Sequence, residues 1–167
     1  IARGRQDREE AGRILNTSFF LLTVCALLLM IIGLCFARPI LVLFGASDSA
    51  LTYAYPYLMI YLLGTYPSMI ATGLNPFINA QGYSTIGMLS VILGAAANLI
   101  LDPVFIFIFG LGAPGAAFAT ILSQFLSASF VLHFLRKKAE FKIRFLTREE
   151  IKCCGACAAN IVSLGTA

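Results

Sequence analysis

Asn98-Leu-Ile-Leu-Asp102-Pro103 is the stretch that decides the fold. From Ser49 to Leu135 the sequence runs for 87 residues, and Asp102 is the only Asp, Glu, Lys or Arg among them. A carboxylate inside so long an apolar run is not a solvated surface charge. In a bilayer an ionised Asp costs about 2.5–3.5 kcal/mol at a helix centre, so such residues face a bundle interior and mark pathways for ions or substrate. Asn98 lies one helical turn earlier on the same face. Pro103 has no N–H to offer the Leu99 carbonyl and tends to kink the helix. One helix thus presents a carboxylate, an amide and loosened carbonyls together, the parts of a small-cation or proton site. The alternative is an Asp that pairs with a neighbouring helix for packing alone.

The composition around this stretch excludes a soluble domain. Charged residues make up 12% of the chain and hydrophobic residues 59%, whereas soluble domains carry about 25% charged residues. Of twelve Lys and Arg, four fall within Arg3–Arg13 and seven within Arg136–Lys152, with Arg38 alone between them. Because these basic segments flank long apolar spans, they set topology rather than bind nucleic acid. The fold class expected is an all-α membrane protein, a multi-spanning transmembrane helix bundle with four full spans and the start of a fifth.

In order, residues 1–13 form a charged cytoplasmic loop. Residues 14–37 are uncharged, and 24 residues at about 1.5 Å each exceed a hydrocarbon core of about 30 Å. Arg38-Pro39 is expected to end this span, with residues 40–44 as an interfacial patch closed by Gly45. Ser47-Asp48 then caps the second span, residues 51–74, which Gly64 and Pro67 are expected to bend. Residues 75–82 read as an uncharged turn. The third span, 85–109, carries Ser90, Gly94, Asn98 and Asp102 every four residues, a small or polar stripe that faces helices or water rather than lipid. Gly110–Gly115 is a tight turn, so the fourth span, 116–135, packs antiparallel against the third. Thr120 enters from the same end as Asp102 at similar depth, which makes it a third oxygen ligand beside Asp102 and Asn98. Residues 136–152 form a basic cytoplasmic linker, and 153–167 begin a further span. Four spans separate the two basic segments, which places both on one side. The chain opens in a charged loop without Met and stops in an apolar stretch, as a piece of a longer protein would.

Tyr53, Tyr57 and Tyr61 share one helical face. An interfacial aromatic belt accounts for Tyr53 and Tyr55, while Tyr61 and Tyr66 stay candidates for a wall that holds an organic cation. Thr120, Ser123 and Ser127 form a stripe beside Gln124, either interhelical glue or, for Ser123 and Gln124, cavity lining. Cys154-x-x-Cys157 has metal or redox spacing but lacks a second pair, and His133 is the single histidine. No Ser/His or paired-Asp arrangement points to an enzyme, and no cofactor is expected beyond a coupling ion.

Three runs taken together resemble the multidrug and toxic compound extrusion (MATE) family. They are Leu74-Asn-Pro-Phe-Ile-Asn-Ala-Gln-Gly82, Asn98-Leu-Ile-Leu-Asp-Pro-Val-Phe-Ile-Phe107 and Gly115-Ala-Ala-Phe-Ala-Thr-Ile-Leu-Ser-Gln124. Gly4-Arg-Gln-Asp-Arg-Glu-Glu-Ala-Gly-Arg13 is similar to that family's loop after its second helix. The resemblance implies twelve helices in two lobes around a central cavity, with this chain supplying helices three to six and the start of seven. It implies export of lipophilic cations in exchange for Na⁺ or H⁺ by a multi-pass protein of the bacterial cell (inner) membrane. Its partners are then the lipid bilayer, small organic cations and the remaining helices of the same chain. It also implies that Asp102, Asn98 and Thr120 hold the coupling ion, with Pro103 as the kink and an acid on helix one completing the site. The alternatives are a lipid-linked oligosaccharide flippase of the same superfamily, which calls for cationic residues inside the spans, and a structural or channel subunit.

Overall fold

The computed structural model describes residues 8–139, which are helical apart from short turns. The start of the expected N-terminal loop, the linker beyond Ala139 and the further span at 153–167 lie outside the described residues. Five α-helices follow in order: α1 (Arg8–Leu43), α2 (Asp48–Leu63), α3 (Thr65–Ala80), α4 (Ser84–Pro103), which runs into a π-helical turn (Val104–Ile108), and α5 (Gly112–Lys137). The expected all-α bundle holds. Three of the stretches, Ala11–Leu43, Ser84–Ile108 and Gly112–Lys137, are each long and apolar enough to cross a membrane.

Local chemistry moves two helix ends away from where the sequence places them. α1 runs through Arg38-Pro39, and Gly45 stops it instead. Gly45 takes a left-handed backbone with φ of 84°. Its N–H bonds Val42 O at 2.9 Å, and the next N–H, from Ala46, bonds Leu41 O at 3.0 Å. This is a Schellman motif, which satisfies the last carbonyls, whereas Pro39 removes a single backbone donor and leaves the rest of the ladder intact. The same device closes α3. Gly82, at φ 88°, bonds Asn79 O, and Tyr83 N–H bonds Ile78 O. The expected turn at 75–82 is therefore helical as far as Ala80, with Pro76 inside it.

The expected second span, 51–74, is two consecutive helices divided at Gly64. Ser47 caps the first, its hydroxyl accepting from Ala50 N–H at 3.4 Å. Pro67 accounts for the break, since it has no N–H for the Leu63 carbonyl. α2 and α3 barely touch each other, while α1 and α5 pack along both. They are successive halves of one column, not a hairpin.

α5 is the central element. In its most apolar stretch 44% of residues are buried, against 6% for α1 and none for α4 with its π turn. Its buried positions include Gly115, Ala117, Ala119, Ser123, Ser127 and Ala128. Lipid tails are as apolar as side chains, so helices associate through close packing and interhelical hydrogen bonds, and small residues permit both. A larger cluster fills the end where α3 turns into α4. It joins Leu15 of α1, Ile70, Leu74 and Ile78 of α3, and Val131, Phe134 and Leu135 of α5. Leu27 to Leu29, Ile31, Ile32, Leu99 and Ile100 point outward, as lipid-facing side chains do.

Candidate functional site

The site is built where α4 packs against α5. Gly94 of α4 sits against Ser127 of α5, where an added Cβ would come within 3.3 Å of the serine Cβ. One turn on, Asn98 reaches across. Its Nδ2 donates to Thr120 Oγ1 at 3.3 Å and to Asp102 Oδ1 at 3.4 Å. Thr120 in turn donates its hydroxyl hydrogen to Ala116 O at 2.9 Å. Asp102, Asn98 and Thr120 are thus one connected group, each half-buried.

Pro103 follows Asp102 directly as the last residue of α4. The chain leaves α4 through the π turn, in which Phe109 N–H bonds Val104 O at 3.0 Å. Wider turns of this kind recur at functional sites. Gly110 and Gly112 then take left-handed backbones, φ 65° and 58°, and Leu111 N–H bonds Phe105 O. This compact turn starts α5 at Gly112 and brings Thr120 to the depth of Asn98.

Both long hydrogen bonds of Asn98 end on oxygens a cation would use. The amide N–H stands between a carboxylate and a hydroxyl, and rotation of the amide would offer its own oxygen to a cation held by the other two. Among the described residues no group of three or more His, Cys, Asp or Glu comes together. From the described residues this group offers one carboxylate oxygen donor, Asp102, beside the neutral oxygens of Asn98 and Thr120.

A cavity of about 320 Å³ opens beside this group, with Asn75, Ser90, Gly94, Asn98, Thr120 and Ser127 on its walls. A second, of about 230 Å³, lies between α2, α3 and α5, where Tyr61, Thr65, Ser68 and Met69 face it. Thr120 and Gln124 wall both cavities. Of the residues singled out in the sequence, Ser123 lines the first cavity and donates to Thr120 O at 2.7 Å, Gln124 lines both, and Tyr61 lines the second. Tyr61 stacks on Tyr57 at 5.8 Å. Tyr66 lines neither cavity and packs against the core cluster instead.

Asn75 was not evident in the sequence as a site residue. Its Nδ2 donates to Gly87 O and to Ser90 Oγ, each at 2.9 Å, and it lines the first cavity. Two signals were available: Asn75 and Asn79 are four residues apart, and Leu74 and Ile78 continue a helical apolar period through the supposed turn.

The sequence model of the MatE family matches residues 2–104. The chain belongs to the MatE family. Among curated proteins it is similar to the multidrug export protein MepA of Staphylococcus haemolyticus, 29% identical over 137 residues, which is 82% of this chain and 30% of MepA. MepA of Staphylococcus aureus (strain MRSA252) is 26% identical over the same length. Among solved structures it is similar to a multidrug resistance MATE family transporter of the MOP superfamily in its inward-facing conformation, with a TM-score of 0.81 at 26% identity. That likeness covers 93% of this chain and 37% of the other. A structure described as the outward-facing conformation of such a transporter gives a TM-score of 0.81 at 26% identity, covering 92% and 35%. The chain therefore spans about a third of the length of the MatE relatives it matches.

Proposed function

We propose that this chain is part of the N-terminal lobe of a secondary transporter that exports lipophilic organic cations in exchange for Na⁺ or H⁺. The observation that carries the reading is the lone carboxylate, Asp102, tied through Asn98 to Thr120 across the α4–α5 contact and set beside the π turn after Pro103. An ionised Asp in the bilayer is expensive, and a bound proton or Na⁺ removes its charge. Occupation also replaces the amide N–H between Asp102 and Thr120, so it changes how α4 leans on α5. A ligand drives a conformational change only through a difference in affinity between two states, and this rearrangement is the source of that difference. The family relationship supports the same reading, since the similar proteins bear the names multidrug export protein and multidrug resistance transporter.

The basic segments at 1–13 and 136–152 face the cytoplasm in this reading, and Asp102 lies toward the outer half of a multi-pass protein of the cell membrane. A flippase for anionic pyrophosphate-lipids calls for cationic residues inside the spans, and none occurs between Arg38 and Arg136. The test uses the full-length parent protein in proteoliposomes, with a fluorescent lipophilic cation and an imposed Na⁺ or H⁺ gradient. One gradient drives export, and Asp102→Asn abolishes it. Ion-driven export that survives Asp102→Asn removes Asp102 from the coupling path, and no export under either gradient refutes the antiporter.

A further inference from the structure

The first cavity does not stop at Asn98 and Thr120. It continues to Asn75, Ser90 and Ser127. Ser90 and Asn98 are eight residues apart on α4, so the cavity reaches about 12 Å along the helix axis. Three hydroxyls on its walls are deeply buried, with Ser90 1%, Ser123 2% and Ser127 6% exposed. Ser127 Oγ donates to Ser90 O at 2.8 Å, and Ser90 Oγ to Gly87 O at 2.7 Å.

An amide pair lies at the far end. Asn79 Nδ2 donates to Asn75 Oδ1 at 3.2 Å, and Asn75 Nδ2 binds Gly87 O and Ser90 Oγ. Gly87 is what admits the pair: an added Cβ there would collide with Asn79 Oδ1 and lie 2.7 Å from Asn75 Oδ1. This pair sits at the end of the bundle where α3 turns into α4 at Gly82 and where α5 ends in Arg136 and Lys137.

We propose that this cavity is the release path of the coupling cation. The cation leaves the Asp102–Asn98–Thr120 group, moves past Ser123, Ser127 and Ser90, and reaches the cytoplasm through the Asn75–Asn79 amide pair. It travels inside the lobe and does not enter the space that holds the exported compound. The proposal rests on the reading of Asp102 as the ion-coupling group. Its physical basis is the succession of neutral oxygens. A cation that has left its only carboxylate needs several weak sites in series, each favourable enough to enter and weak enough to leave. Buried hydroxyls and half-buried amides at intervals of a helical turn supply that series. The second cavity, with Tyr61, Met69 and Ile121 on its walls, is more apolar and suits an organic molecule.

The experiment uses the full-length parent with its native cysteines replaced, bearing Ser127→Cys or Ser90→Cys. Silver ion, a thiolate-binding cation of Na⁺-like size, is added in nitrate buffer to either face of membrane vesicles, and ion-driven export is read. The expected result is loss of export when silver meets the cytoplasmic face, retention when it meets the outer face, and the same loss with saturating organic substrate present. Loss from the outer face, protection by the organic substrate, or no effect from either side overturns the path. Ala71→Cys, which lines the same cavity without joining the hydrogen-bond network, gives the same reading if the serine variants do not fold. Asp102→Asn is assayed alongside. Ion-driven export retained in Asp102→Asn refutes the underlying reading, whereas export lost in Asp102→Asn with no silver access refutes the release path alone.

Discussion

Gly115→Ala is expected to weaken the ion site from five residues away. Gly115 is buried at the start of α5, against the π turn. A Cβ there would lie 2.7 Å from Phe105 O, 2.9 Å from Phe105 C and 3.0 Å from Leu111 Cβ. Two of those three neighbours are backbone, and the Phe105 carbonyl is held by Leu111 N–H at 3.2 Å, so no rotamer change relieves the clash. To pass from 2.7 Å to ordinary contact at 3.4 Å, α5 and the π turn must separate by about 0.7 Å. Thr120 lies one and a half turns further along α5, and its link to Asn98 is already long at 3.3 Å. The same shift takes that link beyond hydrogen-bonding range. Overpacking of this kind costs about 1–3 kcal/mol.

The assay has two arms on the full-length parent: thermal unfolding in detergent, and the ion concentration that gives half-maximal export in proteoliposomes. Gly115→Ala lowers the unfolding temperature and raises the ion concentration required. Gly12→Ala is the control, since nothing lies within 4 Å of its added Cβ and Ala gains up to about 1 kcal/mol over Gly in a helix. If Gly115→Ala unfolds at the wild-type temperature with the wild-type ion dependence, the close α5–π turn contact does not position Thr120.

Asn98→Ala removes two long interhelical or intrasite hydrogen bonds at about 0.6 kcal/mol each; its unfolding temperature should fall slightly while ion-driven export is lost, and retained export would refute the role given to the amide. Pro103→Ala restores a donor for the Leu99 carbonyl, and because Pro in a helix interior is about 3 kcal/mol less favourable than Ala, the variant should unfold at higher temperature yet turn over more slowly. Gly33→Ala meets the end of a flexible side chain, Leu62 Cδ2 at 2.8 Å, so it should leave stability within about 1 kcal/mol of wild type. Ser47→Ala deletes the cap of α2, whose 3.4 Å bond puts the loss at the low end of about 0.5–2 kcal/mol, visible in thermal unfolding but not in transport.

The Asp102–Asn98–Thr120 group was legible in the sequence because two local constraints converge on it. Asn98 and Asp102 share a face by their spacing, and the short turn before α5 leaves Thr120 no other depth. The helix ends were less legible. Pro39 and the Asn75-Pro76 pair look like terminators, yet each removes one backbone donor, and in apolar surroundings every other backbone group still needs its helical partner. Only a left-handed residue closes the last turn without loss, which is why Gly45 and Gly82 set the ends. Tyr66 is a candidate for a cavity wall by residue type alone, and it packs against the core cluster. Its position depends on how α3 rotates against α1 and α5, which no local pattern in the sequence specifies.

The two irregular columns break where they meet α5. Gly64, between α2 and α3, lies against Ile121, whose Cγ1 would be 3.0 Å from an added Cβ. The π turn lies against Gly115. Pro67 frees the Leu63 carbonyl and Pro103 frees the Leu99 carbonyl, and lipid tolerates neither unless it is buried in protein or lines a cavity. The small residues of α5 let both breaks approach it closely, around one short stretch, Gly115 to Ile121. A bulky residue in that stretch would push the breaks outward toward lipid, at the expense of the bundle as well as the site. The small-residue face of α5 therefore makes the close approach of both helix breaks possible.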